Sequence, residues 1–139
     1  MTPSRNLFHP PLVVAGAALL IAALATDIIY WRTFLTQWEN FSIWLITGGL
    51  LLAVLAGIAF VFDLALRRAV RMHWLTFGVL TAAALLSVLN AFIHSRDGYT
   101  AVVPQGLALS AIVTVLVLAA GWQGWSLCAV RLRSGGPQQ

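Results

Sequence analysis

The chain has 139 residues, of which 60% are hydrophobic and 9% charged, against roughly 25% charged in ordinary soluble domains. All eight basic residues are arginine, the formal net charge is +4, and Cys128 is the single cysteine. This excludes a separate soluble catalytic domain, an intrachain disulfide and a cysteine metal cluster.

Four apolar runs dominate in chain order: Leu12–Trp31, Phe41–Phe62, Trp74–Ile93 and Gly106–Val130. A spanning helix needs roughly 20 mainly apolar residues, so each run is long enough to cross a bilayer. Backbone amides find no water partner in lipid, which forces such runs to cross as helices. The first run exceeds the apolar core of a typical secretory signal and is read as a retained span. The expectation is an all-α integral membrane protein, one domain over residues 1–139, with four helices in an up-down-up-down bundle. The tail Ser134–Gln139 reads as mobile.

The arginines lie between and beside the spans, so they read as topology signals and anionic-lipid contacts, not as a nucleic-acid surface. Arg5, Arg67, Arg68, Arg71, Arg131 and Arg133 fall on one side and only Arg32 and Arg96 on the other. This bias predicts both termini in the cytoplasm of a bacterial inner membrane. Aromatic residues mark the interfaces, with Tyr30, Trp31, Trp38, Trp44 and Tyr99 on the outer side and Trp74, Trp122 and Trp125 on the inner. Small residues recur every fourth position at Gly49, Ala53 and Gly57, at Gly106, Ser110 and Thr114, and at Ala18 and Ala22. They are read as faces where helices approach closely.

Chemistry is to be sought in polar residues at membrane depth. With a rise of about 1.5 Å per residue, His9, Asp63 and His73 fall near one level, roughly 16–18 Å from the bilayer centre. Asp27 and Asn90 share a second level toward the other side, with His94 and Arg96 just above. Ser87, Asn90 and His94 follow three- and four-residue steps and line one face of the third helix. The simplest account of this layer is structural: Asp27 and Asn90 bond each other or nearby backbone, and Arg96 neutralises the acid. Each inner histidine, taken alone, also reads as a residue at a helix start, His9 preceding Pro10-Pro11.

Taken together, two histidines at one depth on alternate helices match the axial ligands of a b-type haem. With Asp63 they also form a two-imidazole, one-carboxylate metal set. Neutral imidazole equally suits a quinone site, because it exchanges protons at physiological pH. Arg67, Arg68 and Arg71 would then hold propionates or phosphate. His94 lies about 31 Å along the helix from His73 and cannot share a cofactor with it.

These residues carry a resemblance. His9-Pro10, Asp27 late in the first span, the tryptophan-rich approach to the second, Gly48-Gly49 and Gly57 before Asp63, His73, Asn90 with Arg96, and Gly121-Trp122-Gln123-Gly124 occur in that order. From Leu7 to about Arg133 the chain resembles the bacterial membrane family known as domain of unknown function 2231. It departs at Val13, Val14 and Ala15, where members commonly carry a second His or Phe-Pro, and at Gly124-Trp125-Ser126-Leu127, where they carry Gly-Gly-acid-Leu. The resemblance implies work beside redox proteins, since members occur fused to Rieske-type iron–sulfur or sorbosone-dehydrogenase-like domains.

Two readings follow. In the first, the protein is a redox-associated module, with haem or quinone at His9 and His73 and a partner dehydrogenase or iron–sulfur protein. In the second, it is a cofactor-free structural or assembly subunit whose polar layers fix helix register. A transporter is weaker, because four helices without a broken helix or repeated half need a homo-oligomer to form a pathway. The chain lacks a Ser-His-Asp pattern, a phosphate loop and a metalloprotease motif, so catalysis by the chain alone is not expected. Cys128 reads as a small buried residue rather than a nucleophile.

Overall fold

The computed structural model describes Leu7 and residues 9–68, 71–96 and 102–129. Expectations that rest on Arg5, Tyr99, Arg131, Arg133 and the tail Ser134–Gln139 lie outside the described residues. Four helices form: α1 (His9–Thr33), α2 (Thr36–Ala65), α3 (Trp74–His94) and α4 (Leu107–Gln123), the last preceded by a wide turn at Val102–Gly106. All four spans are long and apolar enough to cross a membrane. Two short strands, β1 (Arg71–Met72) and β2 (Cys128–Ala129), pair antiparallel with Met72 opposite Cys128.

Buried positions explain the packing. On α1 a stripe of them, His9, Val13, Gly16, Leu20, Ala23, Asp27 and Tyr30, runs in alternating steps of four and three, with Ala17 and Thr26 buried beside it. Ser42, Ile46, Gly49, Ala56, Phe60 and Asp63 repeat the pattern on α2, and Ala83, Ser87, Asn90 and His94 on α3. Gly106, Ser110, Val113, Val117 and Ala120 do so into and along α4. A period of 3.5 residues is the seam of left-handed knobs-into-holes packing. Each helix thus turns a stripe of small and polar residues inward and leaves large apolar side chains, such as Leu51, Val61, Leu85 and Val115, to the outside. That distribution suits lipid, where close packing and interhelical hydrogen bonds, not burial of apolar area, hold helices together.

Neighbours run antiparallel. Gly16 of α1 meets Gly49 of α2, Phe60 of α2 stacks near Phe77 of α3, and Asn90 of α3 meets Ser110 of α4. Ala17, Leu20, Ala83, Val113 and Val117 close the centre, and this cluster joins α1 to α3 and α4. At the α1–α2 contact a side chain on Gly49 would drive its Cβ to 2.9 Å from Leu20, so glycine is what permits this approach.

Three expectations need correction. A strict four-residue repeat drifts about 40° around a helix per step, so the Gly49-Ala53-Gly57 row leaves the seam. Gly57 has open space beside it, and Ala18 is likewise exposed. Tyr30 is not an interfacial anchor, since it is 1% exposed within the bundle. The fourth helix ends at Gln123 rather than Val130, because Gly124 adopts φ +102° and Trp125 folds back onto Gly121. The chain beyond crosses to β1, and this fold-back carries Cys128 to the start of α1.

Candidate functional site

At the end of the bundle holding Tyr30, four helices contribute to one hydrogen-bonded network. Asp27 is fully buried on the α1 seam. Its Oδ1 accepts from the Ser42 hydroxyl of α2 and lies 3.0 Å from His94 Nε2 of α3. Its Oδ2 accepts from the Ser110 hydroxyl of α4. Ser110 in turn accepts from Asn90 Nδ2 at 2.8 Å. The heptad steps put these residues at one depth on all four inner faces, which is why the network closes.

The His94 partners set its chemistry. Nδ1 lies 2.9 Å from the Asn90 carbonyl oxygen, which can only accept, so Nδ1 carries a hydrogen. The contact between Nε2 and Asp27 then needs one proton between them. Two serine hydroxyls donate to this carboxylate, and the third contact is the one that shares its proton with His94. The basic side chain beside Asp27 is therefore His94 and not Arg96, whose side chain is exposed. Arg96 misses the network because it follows the last turn of α3. Gly106 is required here: a Cβ at that position would lie 2.8 Å from His94 Cε1.

The opposite end holds a second cluster, differently furnished. His9 is 0% exposed, edge-on to Phe60 with ring centroids 5.9 Å apart, and its Nε2 lies 3.4 Å from Cys128 Sγ. Burial, with the Asp63 carboxylate nearby, pushes the Cys128 thiol above its ordinary range. With the thiol S–H donating to Nε2, the His9 hydrogen sits on Nδ1. That Nδ1 is buried with no hydrogen-bond partner. Asp63, 1% exposed, interacts electrostatically with His9, and neither of its carboxylate oxygens has a hydrogen-bond partner among the described residues. Arg68 Nη1 approaches Oδ1 at 3.6 Å, an ion-pair contact too long for a hydrogen bond.

An apolar cavity of about 200 Å³ runs from near this end toward the middle of the bundle, and His9, Asp63 and Cys128 are not among its lining residues. Its wall includes Val13, one turn from His9, Leu127, next to Cys128, and Phe77, which packs on Phe60. Thr81 is the sole hydroxyl-bearing residue in a lining otherwise made by small and apolar side chains.

His9, Asp63 and Arg68 are brought together, whereas His73 is not part of their buried cluster. His73 is exposed at the start of α3, tied by its backbone N–H to the Leu127 carbonyl at 3.0 Å. The β1–β2 pairing presents Cys128, not His73, to the His9 ring. Arg67 and Arg71 are exposed at the same end. Among the described residues no three His, Cys, Asp or Glu side chains are grouped to hold a metal ion. Sequence reasoning did not find Ser42 or the contact of Cys128 with His9, and it read Ser110 only as a small packing residue. The seam spacing would have exposed Ser42, since it lies seven residues before Gly49; the Cys128 fold-back carries no local signal.

No curated protein and no solved structure matches the chain. A family model does, over residues 6–132, with the description "Predicted membrane protein (DUF2231)". The chain is a member of that membrane-protein family, and its spans, its four-helix bundle and both buried polar clusters fall within the matched segment.

Proposed function

We propose that this membrane protein is a redox-associated module in which His9 and Asp63 hold the head of a quinone while the apolar cavity takes part of its tail. The observation that carries the reading is a buried imidazole nitrogen and a buried carboxylate, both without hydrogen-bond partners, at the end of the bundle where Val13 and Leu127 begin the cavity wall. Buried polar groups are ordinarily satisfied, so a polar ligand is the natural complement. The His9 Nδ1–H would donate to a quinone carbonyl, and Asp63 would accept from the hydroxyl of the reduced form. A quinone supplies two-electron, two-proton chemistry: two electrons from a partner dehydrogenase or iron–sulfur protein and two protons give the quinol. His9 and Asp63 would pass those protons, with His73 at the exposed rim exchanging them with water.

A bis-histidine haem fits less well, because both axial rings must face one iron and here one ring is enclosed while the other is exposed. Arg67, Arg68 and Arg71 suit an acidic partner surface or lipid headgroups. The arginine bias of the sequence supports a cytoplasmic setting for this end, in a bacterial inner membrane.

The test is titration of the purified protein in detergent with a benzoquinone bearing a ten-carbon tail, read by tryptophan fluorescence, alongside a reduced-minus-oxidised spectrum. Saturable quenching that His9→Ala and Asp63→Asn weaken at least tenfold, and His73→Ala leaves intact, is expected. Equal binding by all variants, or none by the wild type, overturns the quinone reading and leaves a structural or assembly subunit. A b-type haem band would return the assignment to haem.

A further inference from the structure

We propose that Asp27 and His94 form a proton-exchange site, reached from their own end of the bundle past Glu39. The pair stands apart from the quinone reading: on α1, 18 residues separate Asp27 from His9, about 27 Å along the axis.

The geometry supplies a holder, an approach and a place for the extra proton. The holder is the shared proton between His94 Nε2 and Asp27 Oδ1, both side chains having no exposed surface. The approach is Glu39, half-buried in the first turn of α2 and three residues before Ser42, which bonds Asp27. Carboxylate, imidazole and carboxylate thus run from the exposed end inward, the residue types that build intramembrane proton relays. Among the described residues the other charged groups at this end stand aside. Arg32 of α1 is exposed over the Trp31 ring, and Arg96 beyond α3 is exposed. From Val102 to Gln123 the turn and α4 carry no charged residue.

The place for a second proton is Asp27 Oδ2. Protonated there, the acid donates to Ser110 Oγ, reversing the present bond, and the Ser110 hydroxyl hydrogen must find another acceptor. Asn90 Oδ1 and Thr114 Oγ1 are buried without hydrogen-bond partners, and Ser110 already touches Asn90. A lock with a purely structural role would be expected to leave no such spare acceptors. Uptake changes the pair from neutral to one positive charge, with no bond broken beyond the hydrogen bond that reverses.

The experiment uses the whole protein in vesicles of phosphatidylcholine and phosphatidylglycerol, with infrared difference spectra taken between pH 8 and pH 4. Expected is a protonated-carboxyl C=O band on acidification that Asp27→Asn removes and Asp63→Asn leaves. In Glu39→Gln its midpoint moves ~0.5–1 pH unit downward, because a negative charge that favoured the cationic pair is gone. If Asp27→Asn fails to fold, the Glu39→Gln shift and the ¹⁵N signal of the His94 ring decide. A wild type with no such band, a band indifferent to Asp27→Asn, or a Glu39→Gln midpoint unmoved overturns the proposal and leaves a fixed ion pair.

Discussion

Asp27 and Asp63 are acids on equivalent seam positions at opposite ends of one bundle, 0% and 1% exposed. Asp27 receives two serine hydroxyls and an imidazole, drawn from three other helices. The Asp63 carboxylate receives no hydrogen bond among the described residues and has an ion-pair contact with Arg68 at 3.6 Å. Similar burial with opposite satisfaction separates what each end can do. A charge with a full set of partners stabilises the assembly, while a charge short of partners costs stability and is retained where something else uses it. The comparison predicts that acid-to-neutral substitutions at the two ends have opposite consequences.

The largest expected effect is at Asp27. Asp27→Ala leaves the buried His94 Nε2 without its partner and removes the acceptor for Ser42 and Ser110, which costs about 3–5 kcal/mol. Reversible unfolding in mixed micelles should show this, and a loss below 1 kcal/mol would mean that the network does not hold the helices together. Gly106→Ala attacks the same end sterically. Its new Cβ meets the His94 ring at 2.8 Å, and overpacking of this kind costs about 1–3 kcal/mol. The Gly57→Ala control, with open space beside the residue, should change stability little.

Asp63→Asn sharpens the contrast from the other end. Removing a buried charge with no hydrogen bond should leave stability unchanged or raise it by about 1 kcal/mol, while quinone binding falls. A loss comparable to that of Asp27→Ala would erase the distinction between the two ends.

How far the sequence could be read differs between the ends for physical reasons. The spans, and the shared depth of Asp27 and Asn90 with His94 just above, follow from helix rise, because all three sit inside long regular helices where depth is a linear count. That Asp27 meets His94 rather than Arg96 depends on where α3 stops, which a count does not fix. At the other end the site depends on a chain reversal. Gly124 breaks α4, Trp125 folds over Gly121, and the two-residue strand pairing brings Cys128 beside a histidine 119 positions earlier. The apolar run to Val130 concealed that break, since hydropathy counts Trp125, Leu127 and Cys128 as helix-compatible. Depth alone pairs His73 with His9, and depth says nothing about which way a side chain at a helix start points.

The smallest effect expected concerns the group that orients His9. The Cys128 thiol is held above its ordinary range by burial and by the Asp63 charge. A raised thiol pKa favours the folded state fully at low pH. That contribution is lost as pH rises from the unfolded to the folded value, so it touches only alkaline conditions and leaves stability near neutrality unchanged. Alkylation of Cys128 by a maleimide should accordingly be slow at pH 7 and accelerate only above the pH at which a free thiol in the same micelle reacts. Cys128→Ser keeps a donor for His9 Nε2 and should retain quinone binding within a few-fold. Cys128→Ala removes it, frees the ring to change tautomer, and should weaken binding more than Ser does with little change in unfolding. If Ala and Ser behave alike, the thiol only fills space and the His9 tautomer has another cause.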